Sequence, residues 1–261
     1  MLQVRNERGT LVYSRIKSKE ASEKIVYNTL TVPVRERFQL VLADGTKVFL
    51  NSGSEMRYPE RFGKARREVY LEGEAYFEVA KDSAREFWVH AGAMDVKVLG
   101  TSFNVKAYER LETVATTLVE GSVEVACAGK SFQIVPGEQF VYDKNNRVMD
   151  VRMVDTESYV SWKDGYYKFR QTTLEEIMET LSVWYGLNVF YVNESAKQVE
   201  FTGKVKRYED ARMLLDKFEQ TGDVVFDIKG NNVFITIKQK KPFAREWNSF
   251  LVKARGMVWQ S

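Results

Sequence analysis

Between residues 25 and 150, short runs of alternating apolar and polar residues recur, and Gly, Asp, Asn or Pro interrupts them. The pattern is clearest at 47–50, 69–71, 76–79, 87–89, 96–98, 123–125 and 140–142. No helical period of 3.6 residues persists over about eleven residues in this part of the chain. The pattern therefore predicts a mainly β domain of stacked antiparallel hairpins, either a sandwich or a short irregular solenoid.

Four dipeptides that end in glycine precede strand-like runs. They predict tight turns, because glycine adopts positive φ without steric cost. They are Asp44-Gly45, Glu72-Gly73, Glu120-Gly121 and Pro136-Gly137. Their uneven spacing excludes a strict repeat.

The pattern becomes helical after about residue 150. Thr172, with Glu175 three residues later, matches a capping box, and Gly186 stands where a C-terminal cap is expected. Between them, one face of a helix over 172–185 carries the apolar residues Leu174, Ile177, Met178, Leu181, Trp184 and Tyr185.

A second helix is predicted over 209–220, with an apolar stripe of Ala211, Leu214, Leu215 and Phe218. Strand patterns occupy 166–169, 187–192, 199–202, 224–228 and 233–237. The order β-α-β-β-α-β-β predicts a small α+β domain with two helices against one small sheet.

These patterns divide the chain, whose 261 residues favour two domains over one. We predict a β domain at 26–145, a linker at 146–164, an α+β domain at 165–238 and a C-terminal extension of unknown role at 239–261.

Composition narrows the function. The net charge of +3 is too balanced for a general nucleic-acid binder. The chain has one His and one Cys, which excludes an intrachain disulfide and a Cys-Cys-His-His zinc site. We therefore predict no enzymatic activity, no catalytic residue, no metal site and no cofactor.

Three residues of chemical interest, His90, Cys127 and Gly100, have structural interpretations. His90 follows an apolar run and is interpreted as a solvated or packed side chain. Cys127 lies within a strand pattern and is expected to be buried and unreactive. Gly100 lacks the residues of a phosphate-binding loop and is expected at a corner between two strands.

Membrane and targeting signals are lacking in the sequence. The longest stretch without Asp, Glu, Lys or Arg is 180–193, with 14 residues, whereas a membrane helix needs about 20 apolar residues. Residues 1–24 are basic but contain no apolar core, so they do not resemble a signal peptide. Composition leaves two interpretations open, a cytosolic protein or a soluble piece of a longer one.

Several segments resemble a known family. In order along the chain they are FQLVLADGTKVFLNSGSEMRYP at 38–59, EVYLEGEAYFEV at 68–79, VLGTSFNVKAY at 98–108, TTLVEGSVEV at 116–125 and VPGEQ at 135–139. They resemble the periplasmic domain of FecR-type anti-sigma factors, particularly those of Bacteroidetes. A second set resembles the small secretin and TonB short N-terminal-like domain that follows it: KFRQTTLEEIMETLSVWYGLNVFY, FTGKV, RYEDARMLLDKFEQTGDVVF and GNNVFITI.

The resemblance implies a periplasmic sensing part that is tethered to the inner membrane in the full-length protein. Its implied partner is the signalling domain of a TonB-dependent outer-membrane transporter. Contact with the sigma factor, and with the membrane, is expected only through a cytoplasmic segment and an anchor helix that this sequence lacks. No catalytic residue is implied.

The residues predicted to bind the partner lie in the α+β domain. Trp184 and Tyr185 form an aromatic pair at a helix end, for which core packing is the alternative interpretation. Val233, Ile235 and Ile237 lie in the last strand of the pattern, which is predicted to be a sheet edge that accepts a partner strand.

Two other functions stay open at this point. A glycan hydrolase or lyase would use an acid pair, Glu72 with Glu74, and Glu175 with Glu176 is another pair of neighbouring carboxylates. A carbohydrate-binding module would instead use a flat row of exposed aromatic rings. Candidates for that row are Tyr58, Trp88 and Trp162.

Overall fold

The computed structural model describes residues 25–207 and 210–238, together with the backbone of two N-terminal strands, β1 (Leu2–Glu7) and β2 (Thr10–Arg15). The predicted extension 239–261 lies outside the described residues. The strands that follow, up to residue 153, are β3 (Tyr27–Thr31), β4 (Phe38–Val41), β5 (Lys47–Leu50), β6 (Glu55–Pro59), β7 (Arg67–Glu78), β8 (Phe87–Ala91), β9 (Met94–Val98), β10 (Ser102–Ala107), β11 (Thr113–Glu120), β12 (Val123–Cys127), β13 (Lys130–Ile134), β14 (Glu138–Asp143) and β15 (Val148–Met153).

Strands β1 to β15 are connected into one 15-stranded sheet, which strand β7 divides into two parts. The C-terminal half of β7 pairs with β5 and β10 and belongs to sheet A, whose order is β1-β2-β4-β5-β7-β10-β11-β14-β15. The N-terminal half pairs with β6 and β8 and belongs to sheet B, whose order is β3-β6-β7-β8-β9-β12-β13. We call this 15-strand body the β unit.

Sheets A and B face each other across one apolar core. Thr116 of sheet A donates a hydrogen bond to the sulfur of Met94 of sheet B over 3.2 Å. The rings of Phe132 and Phe140, which also lie on opposite sheets, have centroids 5.1 Å apart. The prediction of a mainly β domain is confirmed, and of the two predicted architectures the chain adopts the sandwich.

The predicted turn at Glu72-Gly73 is wrong, because these residues lie inside β7, where the strand passes from sheet B to sheet A. Gly73 has a φ of 110°, and a Cβ atom there would lie 2.4 Å from Oγ of Ser54. Glycine is thus required both by the backbone conformation and by the close approach of the neighbouring loop.

The second part of the chain forms an α+β unit around its own core. Its elements are α1 (Glu157–Val160), a 3-10 turn at Ser161–Asp164, β16 (Tyr166–Thr173), α2 (Leu174–Tyr185), β17 (Asn188–Tyr191), a 3-10 turn at Glu194–Gln198, β18 (Glu200–Lys206), α3 (Ala211–Glu219), β19 (Val224–Lys229) and β20 (Asn232–Ile237). The predicted order β-α-β-β-α-β-β is confirmed. The prediction of a single small sheet is wrong, because β16 and β18 form one sheet and β17, β20 and β19 form another.

The N-cap of helix α2 lies one residue later than predicted. Thr172 still pairs with Phe201 in the β16–β18 ladder, and its hydroxyl accepts the backbone N–H of Arg170. The N-cap is Thr173, whose hydroxyl accepts the N–H of Glu176. At the other end Gly186 has a φ of 69°, as expected for a C-terminal cap.

The segment expected to be a linker, 146–164, contains regular structure. Its first part is β15, which pairs with β14 at the edge of sheet A. Its second part is α1 and the 3-10 turn, and the buried ring of Trp162 in that turn packs in the core of the α+β unit. The connection between the two units is therefore short and is held at both ends.

Candidate functional site

The α+β unit packs on the outer face of sheet A. Strand alternation directs Val48, Leu50 and Phe77 into the sandwich, and directs Phe49 and Tyr76 to the opposite face. Tyr76 is buried in the core of the α+β unit, and Phe49 packs against that core. The two units therefore share an apolar contact although they share no sheet.

A buried polar network lies at the centre of this contact. The carboxylate of Glu74 accepts hydrogen bonds from the side-chain amides of Asn51, over 2.7 Å, and Asn104, over 2.9 Å. The oxygen of the Asn104 amide accepts the indole N–H of Trp162 over 3.2 Å. Glu74, Asn51 and Asn104 belong to the β unit and Trp162 to the α+β unit, so the chain of hydrogen bonds crosses from one to the other.

Arg207 supplies the positive charge of the network. Its guanidinium donates to Oδ1 of Asn51 over 3.0 Å and lies 3.5 Å from the ring centroid of Trp184. Burial of a carboxylate is costly unless donors and a countercharge accompany it, and here Asn51 bridges Glu74 to Arg207. Through these hydrogen bonds the network links the two units, while Nε and Nη1 of Arg207 are buried without a hydrogen-bond partner among the described residues.

The C-terminal end of helix α2 is also held by the β unit. The hydroxyl of Ser52 lies 3.3 Å from the carbonyl oxygens of Val183 and Trp184, which have no partner inside the helix. The guanidinium of Arg35 lies 6.0 Å from the ring centroid of Tyr185. These contacts explain why the aromatic pair at the helix end is buried.

Beside the network, a cleft of about 310 Å³ opens between the two units. Strands β10, β11 and β14 form one wall, and α1, β16 and α2 form the other. Two ion pairs line the cleft, Lys106 with Glu179 and Arg152 with Glu176, each with a nitrogen–oxygen distance of 3.6 Å. Burial raises the pKa of Glu179, and Lys106 offsets part of that rise.

The structure places four of the five residues predicted to bind a partner in the core. Trp184 is 9% exposed and Tyr185 2%, while Val233 and Ile235 are fully buried and Ile237 is half-buried. The prediction that their strand is a sheet edge is wrong, because β20 pairs with β17 on one side and with β19 on the other. A central strand has no free ladder positions for a partner.

The edges of this sheet are β17 and β19. The N–H groups of Asn188 and Val192 donate to the carbonyl oxygens of Asn231 and Ile235, on the side of β20. Because N–H groups alternate in direction along a strand, the N–H of Val189 points away from β20. On the other edge, the N–H of Phe226 points outward and is already bonded to the carboxylate of Glu219 over 2.6 Å. Of the two edges, β17 is thus the more open.

The face of β17 that points away from the core carries two exposed apolar side chains next to the polar Asn188. Phe190 is 47% exposed and Val192 62%. The ring of Phe190 stacks on that of Phe234 in β20, with centroids 5.1 Å apart. Sequence reasoning missed this pair, because an isolated Phe in a strand pattern gives no indication of which face is covered.

The two carboxylates of the candidate catalytic pair, Glu72 and Glu74, lie in different environments. Glu72 is exposed at the surface, whereas Glu74 is buried and both of its oxygens accept amide hydrogens. Of the second pair, Glu175 lies 3.4 Å from Lys197 and Glu176 is paired with Arg152. Glu72 and Glu74 therefore do not line one cleft as glycosidase carboxylates do.

The aromatic residues considered for carbohydrate binding do not form an exposed row in the described part of the chain. Tyr58 and Trp162 are buried. Trp88 is half-buried, and its ring is flanked by the guanidinium of Arg66 at 5.2 Å and the ammonium of Lys97 at 5.7 Å. Neighbouring cations thus occupy ring faces on which a sugar would have to stack.

His90, Cys127 and Gly100 lie where the sequence predicts them. His90 is half-buried in β8, with Nδ1 2.7 Å from a carboxylate oxygen of Asp95 and its ring stacked on Tyr70. Cys127 is buried in β12, where burial raises the pKa of its thiol. Gly100 lies at the corner between β9 and β10.

Within residues 25–207 and 210–238, no three His, Cys, Asp or Glu side chains come together in a way that suits a metal ion. None of the helices in this described part has the length and apolar character that a membrane crossing requires.

Comparisons with known proteins agree with the two units. The family described as FecR protein matches residues 28–124, and the family described as FecR, C-terminal matches residues 166–235. No curated protein sequence matches this chain. Two crystal structures of a candidate anti-sigma factor from Parabacteroides distasonis ATCC 8503 are similar to it, each with 28% sequence identity and a TM-score of 0.73. The similarity covers 80% and 81% of this chain and 99% of each of those chains.

Proposed function

Because the chain belongs to the family of FecR-type anti-sigma factors, we propose that it is the sensing part of a regulator that relays a signal from a TonB-dependent outer-membrane transporter to an extracytoplasmic-function sigma factor. The proposal places this part in the periplasm, tethered to the inner membrane through a helix outside the present sequence. The α+β unit binds the signalling domain of the transporter by protein–protein contact.

One observation supports a relay in particular: the buried network that ties the α+β unit to the β unit. Glu74, Asn104 and Trp162 form one chain of hydrogen bonds across the contact. A partner that shifts the α+β unit must strain or break these hydrogen bonds. Binding of the partner is therefore energetically coupled to the β unit.

We propose that the partner docks at strand β17 instead of β20. The outward N–H of Val189 offers a ladder position, and the exposed side chains of Phe190 and Val192 offer an apolar surface beside it. Strand addition at an edge uses both, since the main chain supplies affinity and the alternate side chains supply specificity.

The test titrates the signalling domain of a TonB-dependent outer-membrane transporter from the same organism against the full chain by calorimetry. We expect binding with a dissociation constant in the micromolar to millimolar range, as in other transient signalling contacts, and no binding at about 1 mM would contradict the partner. Val189→Pro is expected to abolish binding, because proline has no N–H to donate.

The matched control is Ile228→Pro, which removes an outward N–H from the opposite edge, β19, and should leave binding unchanged. Circular dichroism and the thermal midpoint establish that both variants are folded. Equal binding by wild type and Val189→Pro would refute docking at β17 and leave the identity of the partner open.

The proposal assigns no enzymatic activity to the chain, in keeping with a regulatory family. Both oxygens of Glu74 are engaged with amide donors, which suits a structural role. Turnover of any glycan that Glu72→Gln or Glu74→Gln abolishes, in a variant that remains folded, would overturn this assignment.

A further inference from the structure

We infer that strand β15, the last strand of sheet A, pairs with β15 of a second copy of this chain and forms an antiparallel dimer about a two-fold axis at Val151. Within the described residues β15 is hydrogen-bonded to β14 alone, so its other side is an open sheet edge. This inference goes beyond the proposed relay, because it concerns another strand and needs no transporter.

The backbone groups that point outward from β15 are those that a symmetric pair needs. The N–H of Val154 donates to the carbonyl oxygen of Gly137, on the side of β14. Because these groups alternate in direction along a strand, the N–H and C=O groups of Met149, Val151 and Met153 point away from β14. An antiparallel pair centred on Val151 joins Val151 to its own copy and Met149 to Met153 through these outward groups.

The sequence of the strand is symmetric about the same residue. Residues 148–154 read VMDVRMV, so the order Val, Met, charged residue, Val is met from either end. The two charged residues have opposite signs, and the register centred on Val151 places Asp150 opposite Arg152 of the second copy at two positions. A two-fold dimer uses the same patch on both copies, so the patch must be self-complementary, as this one is.

The two charged side chains are available for this contact. Asp150 is exposed and takes part in no ion pair in the described part of the chain. The side chain of Arg152 is 46% exposed, lies 3.6 Å from Glu176 and donates to Gln139 over 3.2 Å. A guanidinium carries five N–H groups, so Arg152 can also donate to the carboxylate of the second copy.

The apolar side chains of β15 are incompletely covered in a single copy. Met149 and Val151 are half-buried against the edge of the sandwich core, whereas Val148 is 57% exposed and Met153 70%. Residues 149, 151 and 153 share one face of the strand. In the symmetric register they continue into the same row of the second copy, where Met153 covers Met149.

The experiment measures the mass of the full chain in solution by sedimentation velocity, at protein concentrations from about 1 to about 300 µM. We expect a monomer–dimer equilibrium with a dissociation constant below about 100 µM, since a single strand pair is a small interface. A chain that stays monomeric over the whole range would overturn the inference.

A proline variant tests the strand pairing. Val151→Pro removes the N–H at the centre of the proposed pair and no bond to β14, and edge strands accept proline at such positions. It is expected to weaken dimerisation at least about tenfold. The matched control is Ile228→Pro, which removes an outward N–H from edge strand β19 and should dimerise as wild type does. Circular dichroism establishes that both variants are folded.

Charge reversal tests the register and stays informative even if Val151→Pro does not fold. Asp150→Arg places two arginines opposite each other and Arg152→Asp places two aspartates, so each variant alone should lose dimerisation. Mixed in equal amounts, they place arginine opposite aspartate at both positions, and we expect a heterodimer of about wild-type affinity. Glu36→Arg, exposed in the loop between β3 and β4, is the control and should dimerise unchanged.

Two further results would overturn the inference. One is a dimer that survives Val151→Pro and both charge reversals in folded chains, because its contact then lies elsewhere. The other is a mixture of the two charge variants that stays monomeric although each variant is folded. Neither result bears on the proposed transporter, whose test uses another protein and strand β17.

Discussion

Replacing Glu74 by alanine is expected to lower the free energy of unfolding by about 3–5 kcal/mol, because it removes the acceptor at the centre of the contact between the two units. Its carboxylate accepts amide hydrogens from Asn51 over 2.7 Å and from Asn104 over 2.9 Å, and it is 7% exposed. A hydrogen bond to a charged group contributes about 1.5–3 kcal/mol, and two are lost at once while their donors stay buried.

The isosteric variant Glu74→Gln separates hydrogen bonding from packing. A glutamine amide can accept from one asparagine but presents its own NH₂ group to the other, so roughly half the loss is expected. Asn104 cannot turn its amide to compensate, because its oxygen accepts the indole N–H of Trp162. Glu74→Gln should therefore also change the fluorescence of Trp162, which donates to Asn104 across the contact.

The assay is urea denaturation followed by far-ultraviolet circular dichroism and by tryptophan fluorescence. Glu72→Ala, on the same strand but exposed, is the control and should stay within about 0.5 kcal/mol of wild type. If Glu74→Ala lowers the free energy of unfolding by less than about 1 kcal/mol, or by no more than Glu72→Ala does, the network does not hold the units together. A double-mutant cycle of Glu74→Ala with Asn104→Ala should give a coupling energy above about 0.5 kcal/mol.

Three more predictions concern single sites. Arg67→Met is expected to cost about 3–5 kcal/mol in urea denaturation, because fully buried Arg67 is paired with Asp44 over 2.8 Å, whereas exposed Arg66→Met should be near neutral. Native Cys127 should react with a thiol reagent far more slowly than in denaturant, because burial raises its pKa and limits access; equal rates would show that it is exposed. The pKa of Glu179 is raised, so the native state binds its proton more tightly than the unfolded state does. This group therefore stabilises the fold below its unfolded pKa and loses that effect as the pH rises through its folded pKa. Glu179→Gln should flatten the pH dependence of the thermal midpoint above about pH 4.5, and an unchanged slope would contradict the prediction.

Local patterns predicted the elements well, because alternation and capping are properties of neighbouring residues. Helix α2 runs to Tyr185 with Gly186 as its cap, and the stripe Ala211, Leu214, Leu215 and Phe218 is buried as expected. The start of α2 was displaced by one residue because two adjacent threonines compete for the cap, and pairing of Thr172 with the neighbouring strand decides between them.

Long-range pairing could not be predicted in the same way. Strand β20 comes last in the pattern, and only its parallel pairing with β17 makes it central. Likewise, the apolar pair Trp184 and Tyr185 indicates a buried helix end but not that Ser52, far away in the sequence, receives it. Glu74 looked like half of an acid pair, since the two amides that engage it come from other strands.

The shared strand β7 has a consequence for the order in which the chain can fold during synthesis. Its two halves pair with β5 and β6, which precede it, and with β8 and β10, which follow it. Sheet B is complete only once β13, which ends at Ile134, has been synthesised, and sheet A only once β15, which ends at Met153, has been synthesised. Until then the nascent chain carries open strand edges, which makes this window the one in which a chaperone is most needed.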